Sequence, residues 1–239
     1  MSVGTMRRFY KVVTVDAGET GFQVRLDGKP VLTPARHPLL VRSAALAEAI
    51  AAEWSAQEQY IRPETMPMMQ LACTCADRLT ALRGLITDEL LNYLPTDLLC
   101  YRAESPNDLV ARQTALWQPL LDWFTVWSGG VVLPVTTGLV PPPQDPTARD
   151  LLRARLDRYD APTMTALQAS VLASGSLVLG LAQIEGKMTA AEVFAASQLD
   201  ETYQIELWGE DPEATKRRAA LAEDLAATDR FLKLSRMTN

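Results

Sequence analysis

Apolar and polar positions alternate near the start of the chain and then shift to helical spacing. Arg8 to Val15 turns around Phe9, Val12 and Val15, and Phe22 to Leu26 alternates residue by residue. Asp27-Gly28 separates that run from Lys29 to Thr33. An Asp-Gly pair between alternating runs predicts a two-residue hairpin, because the turn needs positive φ. A proline-rich loop over Thr33 to Pro38 and a short strand over Leu39 to Val41 are expected next.

At Ser43 the period changes. Ser43 suits an N-cap, and Leu46, Ile50 and Trp54 recur every four residues, which predicts a helix with Trp54 on its buried face. Met69 to Arg83 reads as a second helix ending at Gly84, and Ile86 to Leu94 as a third broken by Pro95. Leu98 to Tyr101 reads as a returning strand. Ser105-Pro106-Asn107-Asp108 then combines a cap, a first-turn proline and an early acid. The stripe Leu109, Leu116, Leu120, Trp123 and Trp127 follows, and Gly129-Gly130 ends it. A short extended piece over Val131 to Val135 and the loop Pro141-Pro142-Pro143 precede helices over Pro146 to Tyr159, Pro162 to Ala173 and Ser176 to Ile184.

Thr189-Ala190-Ala191-Glu192 is a capping box that opens a helix reaching Leu207. Asp211-Pro212-Glu213 opens the last helix, with Leu221, Leu225 and Leu232 on one face. The fold class expected is α+β. A small β-rich region with helices spans residues 1–104, and an all-α C-terminal domain spans 105–239.

Composition narrows the function classes. With 48% hydrophobic and 22% charged residues the chain can bury a core, and disorder is disfavoured. A net charge of −6 argues against nucleic acid as a partner and favours a basic protein surface. The cysteines Cys73, Cys75 and Cys100 fit free thiols in a reducing compartment. The opening residues lack the apolar run of a signal peptide. The most apolar window, Ala166 to Ile184, is interrupted by Gln168, Ser170, Ser174, Gly175, Ser176, Gly180 and Gln183. It reads as a buried helical hairpin rather than a membrane insertion.

Candidate chemistry is thin. Cys73-Thr74-Cys75 lacks a second pair, and the single histidine, His37, sits far upstream in a proline-rich loop, so no metal site is expected. His37 has no serine or cysteine close in sequence, so no catalytic set forms around it. Gly180 to Lys187 has the wrong spacing for a phosphate loop, and Met188 stands where a hydroxyl is needed. No catalytic residue and no cofactor is assigned, and the chain reads as a non-enzyme.

The segment from Thr189 to Glu213 stands out. Treated as one helix, Val193, Ala196, Leu199, Tyr203 and Leu207 share a face, and Phe194, Ile205 and Trp208 share another. Glu201 falls inside the second face, seven residues from Phe194 and seven from Trp208. A carboxylate in an apolar stripe is costly unless it is paired. Two readings stand: an internal salt bridge, or a surface that meets a partner. Trp208-Gly209-Glu210-Asp211 extends the acidic, aromatic character. Phe194, Glu201, Ile205, Trp208 and Glu210 are the candidate partner-binding residues. The alternative function is a small-molecule enzyme using carboxylates such as Glu201 and Glu210.

Dispersed blocks add a resemblance. They are Arg8-Phe9-Tyr10-Lys11, Leu26-Asp27-Gly28-Lys29-Pro30, Thr33-Pro34-Ala35, Ala51-Ala52-Glu53-Trp54 with Gln57, and Met66-Pro67. Thr96-Asp97-Leu98-Leu99-Cys100-Tyr101-Arg102 and Gly175-Ser176-Leu177 follow. Leu199-Asp200-Glu201 with Gln204, Trp208-Gly209 and Asp211 complete the set. In this order, from Arg8 to Phe231, the chain resembles the assembly chaperones of the F1 sector of ATP synthase that bind the alpha subunit. The resemblance implies a β-rich N-terminal region, a helical C-terminal domain and a function without catalysis. It also implies that the chain holds the unassembled alpha subunit and prevents its aggregation. The strand motif near residue 8 leaves no room for a mitochondrial presequence, so a bacterial, cytoplasmic member is expected.

Overall fold

The structure, a computed structural model, describes residues 6–138, 140–141 and 145–237. The residues before Met6 and the Pro142-Pro143 part of the expected loop lie outside the described residues. The architecture is α+β. Contacts divide the chain into two compact units, Met1–Arg83 with Arg230–Asn239, and Gly84–Asp229. That division falls inside a helix, whereas the sequence reading sets its boundary after residue 104.

Unit 1 holds a three-stranded antiparallel sheet in the order β1 (Val13–Gly18), β2 (Gly21–Leu26), β3 (Lys29–Pro30). Leu26 pairs with Lys29, so Asp27 and Gly28 are the turn, with φ of 48° and 80°. This is the hairpin the Asp-Gly pair predicts. The Asp27 carboxylate accepts from the Val12 and Lys11 amides at 2.8 and 3.1 Å, which lowers its pKa. Those side-chain bonds replace ladder bonds, so the strand expected from Arg8 begins only at Val13. Upstream, Tyr10 is buried and its hydroxyl donates to the Trp54 carbonyl at 2.6 Å. The strand expected over Leu39 to Val41 is reduced to a single bridge, Phe22 with Val41, preceded by another between Leu32 and Pro38. Pro38 has no amide with which to continue a ladder.

Helix α1 (Ala44–Ser55) starts as expected, the Ser43 hydroxyl accepting from the Leu46 amide at 3.4 Å. Leu46 and Ile50 are buried, while Trp54 is half-buried and meets the Tyr10 ring edge-on. Helix α2 (Pro67–Thr74) is capped from α1, since Glu53 accepts from the Met68 and Met69 amides at 2.7 and 2.8 Å. Burial nonetheless raises the Glu53 pKa, against the pull of those two bonds. A π-helical turn, Cys75–Leu79, leads into α3 (Thr80–Leu91), which kinks at Leu82. The break expected at Gly84 does not occur. A helical glycine costs only about 1 kcal/mol, which packing readily offsets.

In unit 2 the strand expected over Leu98 to Tyr101 is a 3-10 turn, Leu98–Cys100. Asp97 sets it, accepting from the Leu99 amide at 3.1 Å. Helix α4 (Asn107–Ser128) ends at Gly129, in the left-handed region with φ 84°. Pro106, not Ser105, takes the cap position, without a side-chain cap bond. Helices α5 (Ala148–Leu156), α6 (Ala161–Ser174) and α7 (Leu177–Ile184) follow. The last two form the expected hairpin about Gly175, and α7 is buried along its whole length. A Cβ on Gly180 would lie 2.5 Å from Val171 Cγ2, so only glycine lets the two helices approach this closely. The polar interruptions are satisfied: Ser170 donates to Gln183 at 2.6 Å, and Gln183 donates to the Leu225 carbonyl at 2.8 Å. Among the described residues no helix is long and apolar enough to cross a membrane.

The expected helix over 189–207 is two. The capping box at Thr189 starts α8 (Ala190–Ser197), and α9 (Leu199–Trp208) follows a break at Gln198, where φ is −109° and ψ 21°. Helix α10 (Pro212–Arg236) closes the chain.

Candidate functional site

The break at Gln198 changes the face predicted for a single helix. Glu201, Ile205 and Trp208 stay on one side of α9, at i, i+4 and i+7. Phe194 belongs to α8 and lies under the Arg218 guanidinium, 5.4 Å from its ring. Arg218 also donates to the Thr202 hydroxyl at 2.8 Å and the Gln198 carbonyl at 3.5 Å, which braces the break. Glu210 lies past the helix end, where the Thr215 hydroxyl donates to it at 3.5 Å. The other expected face is buried at Val193, Ala196, Leu199 and Tyr203, but Leu207, in the last turn of α9, is exposed.

The inner side of α9 is fastened to α4 by polar contacts. Gln113 donates to Asp200 at 2.8 Å. The Tyr203 hydroxyl donates to both oxygens of Asp108 at 2.9 Å. Arg112 pairs with Glu206 at 2.6 Å and lies over the Tyr203 ring at 5.2 Å. Ahead of the break, Trp117 of α4 donates from its indole to the Ala196 carbonyl of α8 at 2.9 Å. Burial and the Asp108 bond raise the Tyr203 pKa, and the Glu206 bond raises that of Arg112.

Glu201 is different. It is half-buried and has no hydrogen bond or ion pair among the described residues. The internal salt bridge that would explain it is therefore not formed. Beside it Ile205 is half-buried, and Trp208 is 77% exposed. An indole that open, on the same side of α9 as a carboxylate with no partner, is a surface that an approaching protein can use for both apolar burial and charge pairing.

The thiols offer little reactivity. Burial pushes the Cys73 pKa to about 11 and that of Cys100 to about 12, which keeps both protonated. Among the described residues no group of three or more His, Cys, Asp or Glu side chains is placed to hold a metal ion. Gly180 lies within α7, so the Gly180 to Lys187 stretch is not a phosphate loop.

Residues 7–125 match the ATP12 chaperone protein family. Atp12 from Paracoccus denitrificans is 38% identical, with a TM-score of 0.88 over 97% of this chain and 99% of that one. The chain belongs to the ATP12 chaperone family. The Atu1473 protein of Agrobacterium tumefaciens is also 38% identical, with a TM-score of 0.86 over 95% of this chain and 85% of that one. A curated relative, the mitochondrial protein atp12 of Schizosaccharomyces pombe, is 23% identical over 216 residues, 86% of this chain and 74% of its own length. The family is that of ATP synthase assembly chaperones, in keeping with the resemblance carried by the sequence blocks.

Sequence reasoning missed the fastening network of Asp108, Arg112 and Gln113. Its only sequence signal is the i, i+4 acid–base pair Asp108 and Arg112 on α4. Their partners on α9 are on average some ninety residues away in sequence, from 87 for Asp200 to 95 for Tyr203.

Proposed function

We propose that this ATP12-family chain binds the unassembled alpha subunit of F1 ATP synthase and shields it from aggregation, without catalysis. The outer side of α9 is the contact surface: Glu201, Ile205 and Trp208 form its centre, with Phe194 and Glu210 at its margins. The observation that carries the reading is Glu201, a half-buried carboxylate without an internal partner, on a helix whose Asp200 and Glu206 are both bonded to α4. A cation of the subunit would complete it while the subunit's apolar surface covers Trp208. Exposed assembly surfaces aggregate when left uncovered, so covering one is a function that needs no chemistry. The bacterial relatives, nearer in identity than the mitochondrial one, support a bacterial and cytoplasmic setting.

Light scattering of refolding alpha subunit tests the reading. Scattering should fall in proportion to added chain, level off near equimolar amounts and need no ATP. Undiminished aggregation at a several-fold molar excess would refute it.

A further inference from the structure

Between Ala190 and Trp208 the sequence holds neither glycine nor proline, and the Thr189 capping box starts a helix. The ladder nevertheless stops at Gln198, so the cause lies mostly outside the segment. One local contributor is the Ser197 hydroxyl, which donates back to the Phe194 carbonyl at 3.0 Å, a bond that bends helices slightly. Three successive carbonyls at the break take donors from outside the ladder. The Trp117 indole holds that of Ala196 at 2.9 Å, the Gln198 side chain that of Ser197 at 3.4 Å, and Arg218 that of Gln198 at 3.5 Å.

Arg218, on α10, has all its hydrogen-bond and ring contacts among the described residues at this break. Phe194, under its guanidinium, comes before the break, and Thr202, whose hydroxyl it meets at 2.8 Å, comes after. The side chain is half-buried and forms no ion pair among the described residues.

We propose that Arg218 is a positioning residue, which holds α9 at its angle to α8 and so turns Glu201, Ile205 and Trp208 outward. At about 100° per residue, Asp200, Tyr203 and Glu206 fan round one side of α9, and Glu201, Ile205 and Trp208 round the other. Thr202 lies between the two groups. Bonds from α4 hold the first side along a single line. A helix held along one line can roll about it, and the Arg218 bond to Thr202 supplies the second line. Without Arg218 the segment is free to close its ladder through Gln198, which its helix-forming residues favour. The effect on binding rests on the contact surface proposed above; the effect on the break does not.

The test compares variants of the full chain. Arg218→Met keeps an apolar stem over Phe194 and removes every donor, whereas Arg218→Lys keeps the cation and a donor. In a backbone-assigned NMR spectrum of the free chain, the Gln198 13Cα signal should move downfield, towards helical values, in Arg218→Met. It should stay near wild type in Arg218→Lys and in Ser197→Ala. Thr202→Val, which removes only the acceptor of the 2.8 Å bond, should move it the same way by less, and keeps the test open where Arg218→Met does not fold. Affinity for the alpha subunit should fall roughly tenfold or more in Arg218→Met and recover in Arg218→Lys. An unmoved Gln198 signal in both Arg218→Met and Thr202→Val, or a larger shift in Ser197→Ala, would overturn the proposal. So would a moved signal with normal affinity, where Glu201→Gln does lose affinity. If Glu201→Gln also binds normally, the contact surface on α9 is what falls, and the moved signal in the free chain still supports the hold of Arg218 on the break.

Discussion

Two carboxylates of unit 2 differ in their surroundings. Asp97 is fully buried and bonded on every side: Oδ1 accepts from Ser176 Oγ at 2.8 Å and the Leu99 amide at 3.1 Å, and Oδ2 accepts from the Val178 amide at 3.1 Å. It joins the 3-10 turn at Leu98 to the N-terminus of α7, where amides are otherwise unpaired. Glu201 is half-buried and bonded to nothing among the described residues. A charge that serves the fold is enclosed by donors the chain supplies. A charge left without them, on the same helix side as an exposed tryptophan, is available to another molecule.

The largest expected effect is on Asp97. Asp97→Ala leaves two buried amides and a hydroxyl without their acceptor, and should cost roughly 3–5 kcal/mol of stability. Urea unfolding measures it. A loss under about 1 kcal/mol would mean that water replaces the carboxylate and that the contrast with Glu201 is weaker than drawn.

Next comes Glu201→Gln. The melting temperature should stay close to that of the wild type, because no internal cation loses a partner. Affinity for the alpha subunit should weaken by roughly 2–5 kcal/mol, as for a buried interfacial charge pair. The comparison breaks if stability falls and affinity per folded molecule does not.

A smaller effect follows from pH. Burial raises the Asp97 pKa from 3.8 to about 6, against the pull of its hydrogen bonds. The folded state therefore binds the proton more tightly than the unfolded chain. The stability gained is complete below about pH 4 and is lost as pH rises through about 6. Cys100, beside it, stays protonated throughout, its own pKa raised to about 12. The stability advantage of wild type over Asp97→Asn should shrink by about 1 kcal/mol between pH 5 and pH 8. An advantage that grows with pH would show that the hydrogen bonds outweigh burial.

The sequence reveals local devices better than long-range ones. The Asp27-Gly28 turn, the Ser43 cap, the Thr189 capping box and the Gly175 hairpin are all where their residues predict them, because each is set within a few positions. The errors arise where a distant group intervenes. Asp27 takes the amides of Lys11 and Val12 and delays β1, and Asp97 curls Leu98–Cys100 into a turn. The break at Gln198 is braced by Arg218, twenty residues on. A wheel drawn through 189–213 could place Glu201, Ile205 and Trp208 together, since all lie after the break. It could not place Phe194 with them.

The smallest expected effect sharpens the comparison within α9 itself. Glu206 is five residues from Glu201 and is paired with Arg112 at 2.6 Å, both side chains about half exposed. Exposed pairs gain little, because water screens the attraction and two long side chains lose freedom. Glu206→Gln should therefore lower the melting temperature by less than about 2 °C. The helix is still held by the Tyr203–Asp108 and Gln113–Asp200 bonds, so the outer side keeps its shape. Affinity for the alpha subunit should then match wild type, in contrast to Glu201→Gln. If both variants lose affinity equally, the subunit responds to the net charge of α9 rather than to one unpaired carboxylate, and the assignment of Glu201 as the contact falls. If only Glu201→Gln loses it, net charge is excluded, because each variant removes the same single negative charge from the same helix.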